Sequence, residues 1–450
     1  MAREHIHPAR TAAMVSCALG GLLVVMCATG AGASTMPAGY RVVDLGGLPG
    51  GSGAFGITTA GFAAGYEMLG PGLPHAALFS GGVVHDLGTL GGDASLANAV
   101  GSGGRVVGWA RLADATRHAF LYRSGAMEDL GTLGGSYSMA FAVNRADVVV
   151  GASSVNDGRN EIPFVWTDAT GMQALPVPEG YGGQALDLND AGEIAGYLTD
   201  GQGALRAFRS DGHTVEMLAG LDLPGSKAYG ISENGTVVGY AMAGEASPHF
   251  HGVLWRGNTI QDLGALSGGH SVAYDVAEDG TAVGFSYTAS LVMVATVFEG
   301  GGIVDLNSEI PADAGWQLQM ATAITNDGVI SGIGQLNGVP RAYALVPMGL
   351  HTGSWGTPVP VTTLALRAWP TPMRMSGTLE LDLPQPVHGR VVLYDVNGRR
   401  VAELAGGDFA AGHVRVPVGA DAIAKAGTGV FFARLEGDRV TAASRVLIVR

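Results

Sequence analysis

From Asp44 to Leu345, apolar residues alternate with small or polar ones in short runs, and glycine breaks each run. Period-two alternation over so few residues predicts β-strands rather than helices. Four kinds of strand recur in a fixed cycle. The first is rich in small residues, as in Ala140-Phe141-Ala142-Val143 and Ala321-Thr322-Ala323-Ile324. The second reads Val-Val-Gly-aromatic, with its glycine at Gly65, Gly108, Gly151, Gly196, Gly239, Gly284 and Gly332. The third is the His118-Ala119-Phe120-Leu121-Tyr122 type, and the fourth begins Asp-Leu-Gly at Asp44, Asp86, Asp129 and Asp262. The glycines of the second strand fall 43, 43, 45, 43, 45 and 48 residues apart.

A repeat of about 40–45 residues built from four short strands predicts a β-propeller. Tight turns such as Asn189-Asp190-Ala191-Gly192 and Glu233-Asn234-Gly235 join the first strand to the second. The ends of the array carry further information. It opens with a lone fourth-type strand from Tyr40 to Leu45 and closes on a third-type strand from Arg341 to Leu345. A ring closed by its own first strand accounts for both ends and leaves no exposed sheet edge. The expected fold is therefore all-β: a seven-bladed propeller over 34–349, with an open β-solenoid as the rival. The small-residue strand is expected at the axis, where backbones converge.

Residues 1–33 stand outside this pattern. Arg3 and Arg10 precede an apolar run from Ala12 to Ala28, and Ala31-Gly32-Ala33 closes it with small residues. That is the pattern of a secretory signal peptide, with a membrane anchor or a lipidated Cys17 or Cys27 as alternatives. Those two cysteines are the only ones in the chain, so the mature protein is expected to have no disulfide and no thiol chemistry. No membrane span is expected after the signal.

Charge narrows the partners. Residues 34–362 carry 12 basic and 30 acidic side chains, a net of −18, and residues 363–450 have a net of +3. So acidic a propeller repels nucleic acid. The stretch 350–363, with Gly353, Gly356, Pro358 and Pro360, reads as a linker. The tail 364–450 reads as a small β-sandwich of six or seven strands.

The motifs Asp86-Leu87-Gly88-Thr89-Leu90-Gly91-Gly92, Val106-Val107-Gly108-Trp109 and His118-Ala119-Phe120 resemble the HAF-repeat family of bacterial extracellular proteins over about 40–349. The resemblance implies an exported, propeller-like array and no particular activity. The tail segments Val391-Val392-Leu393-Tyr394-Asp395-Val396-Asn397-Gly398-Arg399 and Gly429-Val430-Phe431-Phe432-Ala433-Arg434 resemble the C-terminal sorting domain of type IX secretion cargo and the Ig-like domain of flagellar hook-capping proteins. That resemblance implies an export or attachment module that meets the secretion machinery.

No catalytic, cofactor or metal constellation stands out. His75, His118 and His251 fall one per repeat, too far apart to share a metal, and read as structural. The Asp-Leu-Gly aspartates are expected to accept turn N–H bonds. Loops after the second and fourth strands should emerge on one face, and aromatic residues gather there. Trp109, Tyr137, Tyr181, Tyr240 and Trp316 are the candidate ligand contacts, with Tyr66, Tyr197 and Phe285 at equivalent strand ends. The strand-end rings have a second reading as packing between blades. The leading functional expectation is a secreted or cell-surface module that binds a glycan, peptide or surface protein. The alternatives are a carbohydrate-active hydrolase or lyase using two of Asp114, Asp157, Glu161, Glu179, Glu245, Glu309 and Asp313, and a purely structural surface-layer or matrix protein.

Overall fold

The computed structural model describes residues 39–48, 50–70, 72–155, 161–244, 249–348, 350, 364–369, 373, 377–409, 412–437 and 441–448. The expected signal peptide 1–33 lies outside these residues. So do nearly all of the expected linker and the loop acids Asp157 and Glu245.

The described chain is all-β apart from two 3₁₀ turns and one short helix. Between Tyr40 and Pro347 it forms seven four-stranded antiparallel sheets in a propeller-like arrangement. Six are meanders of consecutive strands. The first of these runs Ser52–Ile57, Phe62–Gly70, Leu73–Ser80 and Val83–Asp86. The remaining sheet joins the two ends of the array. Trp316–Ile324, Ile330–Leu336 and Val339–Pro347 supply three strands, and Tyr40–Gly46 supplies the outer one. Its register pairs Tyr40 with Pro347 and Val42 with Leu345.

Each sheet is apolar on both faces, so each must be covered on both. The apolar clusters show how this is met. One cluster joins Leu78 and Ala64 of the first meander to Val100 and Phe120 of the next. Others seal each successive pair in turn. The last joins Leu45, Ala342 and Val346 to Ala54, Ala63 and Phe79, and so returns to the start. The first strands of neighbouring sheets touch all the way round, including Trp316–Ile324 against Ser52–Ile57. Thr322 Oγ1 donates to Ala54 O at 2.8 Å across that closing contact.

The recurring glycine of the second strand has a steric origin. Every first strand carries a β-bulge, as between Ala97 and Ala99 or Ala228 and Gly230. The bulge pushes a carbonyl oxygen toward the partner strand. A Cβ on Gly108 would lie 1.9 Å from Leu96 O, and one on Gly239 would lie 1.8 Å from Lys227 O. Only glycine leaves room for that approach.

A second repeated device holds one sheet to the next. Ser138 Oγ donates to Gly131 O at 2.5 Å and accepts from Ala119 N, in the preceding sheet, at 2.8 Å. Ser95 does the same with Gly88 O and Ala76 N, and Ser271 with Gly264 O and Gly252 N. Ser52 repeats it across the closure, with Gly46 O at 2.6 Å and Ala342 N at 3.1 Å. The Asp-Leu-Gly turn that offers the glycine carbonyl is itself pinned. Asp129 accepts from Gly131 N at 2.8 Å and meets His118 Nδ1 at 2.9 Å, and Asp86–His75 and Asp262–His251 form the same pair.

Among the described residues, the tail has seven strands. Ala365–Trp369, Gly377–Leu383 and Gly412–Val418 form one sheet. Val387–Asp395, Arg400–Phe409, Gly429–Gly437 and Thr441–Ile448 form the other. Leu379, Leu381 and Val416 of the first sheet pack with Leu393, Ala433 and Val446 of the second in one apolar cluster. The helix Ala420–Ala426 departs from the all-strand expectation. Alanine between Gly419 and Gly427, with Asp421 early and Lys425 late, favours a short helix and its stop.

Gly108→Ala should lower stability by about 2 kcal/mol or more in urea unfolding, whereas Gly201→Ala, where nothing lies near the new methyl group, should change it by less than about 0.5 kcal/mol. Equal effects at the two positions would remove the steric explanation.

Candidate functional site

Second strands run toward the face on which the sheet-to-sheet crossings emerge. Crossing and hairpin loops of one sheet are bonded there, as by Gly135 N to Ser154 O at 3.1 Å and Gly268 N to Tyr287 O at 2.9 Å. The aromatic residues after the second-strand glycines repeat at this face, while several polar side chains beside them do not, and together they form one contact row across four consecutive sheets.

The row begins at Trp109, in the middle of the second strand Val106–Leu112. The Arg117 guanidinium lies over it, 5.2 Å from the ring centre, and 5.5 Å from the ring of Tyr137 in the next crossing. Tyr137 Oη donates to Glu161 Oε1 at 2.9 Å, and Gln184 Nε2 donates to Glu161 Oε2 at 2.5 Å. Gln184 pairs in register with Tyr197, and Lys227 Nζ lies 4.0 Å from the centre of the Tyr197 ring. Lys227 in turn pairs with Tyr240, whose ring meets Tyr229 at 6.1 Å and Phe250 at 5.8 Å.

Burial and the Glu161 bond push the Tyr137 hydroxyl up to about 12. Burial likewise raises Tyr197 to about 12, with Glu161's charge adding to it. Both phenols therefore stay protonated as donors at neutral pH.

The five candidate contacts separate into groups. Trp109 and Tyr137 share Arg117, and Tyr240 lies further along the same row. Tyr181 packs against the apolar cluster of Leu188, Leu198 and Phe208. Trp316 packs against the last sheet, its ring edge-on to Tyr343 at 6.0 Å. Phe285 is buried, and Tyr66 stacks on Phe55 at 5.8 Å. Arg117, Glu161, Gln184 and Lys227 were not singled out for binding by their sequence context. Their signal is that each breaks the residue type held at its repeat position.

Three of the loop acids have individual partners, while Glu179 and Asp313 lie exposed on turns. Asp114 accepts from Thr116 N and Oγ1, and Glu309 accepts from Gly39 N at 3.3 Å. Glu161 is held as described. The carboxylates that do influence one another lie elsewhere, on first strands. Asp187 accepts from Leu188 N at 2.9 Å and, in the next sheet, from Ile231 N at 2.8 Å. Asp275 accepts from Val276 N at 2.7 Å and Ile324 N at 2.8 Å. Protein surrounds both, though each keeps a little solvent-accessible surface. Burial, together with the Asp275 charge, raises Asp187 to about 8, and burial raises Asp275 to about 6. Their backbone bonds work against the rise without cancelling it.

No family model matches the chain, and no curated protein matches it. Among solved structures, a gluconolactonase from Xanthomonas campestris is similar at 14% identity and a TM-score of 0.32, over 70% of this chain and 96% of that one. The native conformation of alpha-2-macroglobulin from E. coli aligns at 11% identity and a TM-score of 0.16, over 92% of this chain and 23% of that one. These likenesses are distant.

The two buried carboxyls set a pH dependence. Their folded pKa values lie above the unfolded value, so their contribution to stability is complete below about pH 4 and is lost as pH rises through about 6 and then about 8. The melting temperature should therefore fall between about pH 5.5 and about pH 8.5, and Asp187→Asn should flatten the upper part of that fall. A variant with an unchanged profile would show that Asp187 is not the group titrating.

Proposed function

We propose that the chain is an exported, non-catalytic binding protein. In this proposal residues 34–349 are a seven-bladed propeller closed by the strand Tyr40–Gly46, and its loop face holds a glycan, a peptide or a surface protein. Residues 364–450 are an Ig-like sandwich that serves export or attachment, joined by the linker 350–363, and residues 1–33 direct secretion. Seven sheets, seven sealed contacts between them and the Tyr40–Pro347 pairing support the ring. The resemblance to HAF-repeat proteins and to type IX sorting domains supports a secreted or cell-surface location and contact with secretion machinery.

The observation that carries the binding function is the row from Trp109 to Tyr240. Residues that build the scaffold repeat from sheet to sheet. Arg117, Glu161, Gln184 and Lys227 do not repeat, yet they meet in one continuous row with half-buried aromatic rings. Flat rings beside fixed polar groups suit recognition of a sugar or an extended chain.

A hydrolase or lyase needs two acids facing one pocket. Glu161 is committed to Tyr137 and Gln184, Asp114 to its own turn and Glu309 to Gly39, which favours binding over catalysis.

A glycan and peptide array probed with the full chain should give a defined set of ligands, and Trp109→Ala and Tyr240→Ala should each weaken binding at least about tenfold with the fold intact. A folded chain that binds nothing on either array would favour a purely structural surface protein.

A further inference from the structure

Within residues 34–362, acidic side chains outnumber basic ones by 30 to 12, and several arginines pair with a carboxylate. Arg111 pairs with Asp93, Arg145 with Asp190 and Arg209 with Glu216. Arg105 pairs with Asp147, and Arg123 joins Glu128 and Asp168. Arg117 and Lys227 depart from these pairs, as Arg206, Arg256 and Arg341 also do, but these two rest on aromatic rings. Among the described residues, neither has a carboxylate within ion-pair distance. Each lies on aromatic rings instead, Arg117 on Trp109 and Tyr137 and Lys227 on Tyr197. Both are half-buried. Burial holds the Lys227 ammonium below its ordinary pKa, and the more distant Glu161 charge works the other way.

A cation resting on a ring keeps its N–H donors free, because the ring face takes up no hydrogen bond in the guanidinium plane or at the far side of an ammonium. Such a half-desolvated cation binds an incoming anion more strongly than a solvated one does. Between the two cations lies Glu161, held by Tyr137 and Gln184. A carboxylate fixed this way accepts hydroxyl hydrogen bonds, and it repels a ligand that is anionic at every position. The row therefore alternates sites for negative charge with a site for hydroxyls, along a line of flat rings.

We infer that the loop face binds an acidic glycan, a chain of uronic-acid-type sugars whose carboxylates meet Arg117 and Lys227 while a hydroxyl-bearing edge meets Glu161 and Gln184. This rests on the proposed binding function of the same face and names its ligand class. An acidic peptide fits less well. A peptide strand gains its main hydrogen bonds from a free sheet edge, and here the first strands are packed against one another. Aromatic planes beside a carboxylate–carboxamide pair match pyranose rings and their hydroxyls.

The test uses the full chain and isothermal titration with an oligogalacturonate, a neutral cello-oligosaccharide of the same length and a poly-glutamate peptide. The acidic sugar should bind at least about tenfold more tightly than the other two. Raising NaCl from about 50 mM to about 500 mM should weaken it severalfold. Arg117→Gln and Lys227→Gln should each cost about fivefold to tenfold, and Lys227→Arg should retain most of the affinity. Neutral and acidic sugars bound alike, with Trp109→Ala abolishing both and the cation variants inert, would overturn the acidic class and leave the binding face standing. Poly-glutamate bound as well as the acidic sugar would overturn the glycan assignment. A folded chain that binds no sugar and no peptide would overturn the binding face and the ligand class together.

Discussion

A serine hydroxyl held between two backbone groups fixes how four of the seven sheets follow the one before. In Ser95, Ser138 and Ser271 the hydroxyl bonds a glycine carbonyl on the crossing and an amide of the preceding sheet. These groups are buried or nearly so, and leaving a buried amide without a partner costs about 1–3 kcal/mol. The His–Asp pairs hold the crossing in the shape that presents its carbonyl. The His and Asp-Leu-Gly positions, eleven residues apart in three of the repeats, are thus halves of one device. Ser52 applies that device between the two ends of the array and links its first strand to its last sheet.

Where scaffold chemistry is repeated so closely, departures from it become informative. The second-strand glycines and the serines answer to sterics and to backbone bonding, and they leave little freedom for recognition. Arg117 and Glu161 occupy equivalent third-strand positions, and Gln184 and Lys227 equivalent first-strand positions, that other repeats fill with different residues, so their chemistry is free to serve a ligand. Asp187 and Asp275 are intermediate: they do not repeat in every sheet, but each bonds an amide of the following sheet and so belongs to the scaffold.

Much of the fold was legible because its causes are periodic. Alternation marked the strands, and the unmatched strand types at Tyr40 and Leu345 marked their pairing. The aspartates' role in turns followed from the side chain alone. The serine bond was present in the sequence as Gly88 to Ser95, Gly131 to Ser138 and Gly264 to Ser271, each seven residues apart, but nothing local says what a hydroxyl will meet in the preceding sheet. The site was harder to see. Trp109 and Tyr137 are conspicuous as aromatics, while Arg117 and Lys227 gain meaning only from what lies beside them in space. Tyr181 lies in a crossing loop as expected, whereas Trp316 opens the strand Trp316–Ile324, and the rings of both turn onto apolar clusters.

Everything above depends on the first strand being an integral part of the last sheet. Native-state hydrogen exchange on the full chain tests this directly. The hydrogen-bonded amides of Tyr40–Gly46 should exchange as slowly as those of Val339–Pro347, their partner strand. Fast exchange in Tyr40–Gly46 beside a protected Val339–Pro347 would contradict closure by the first strand.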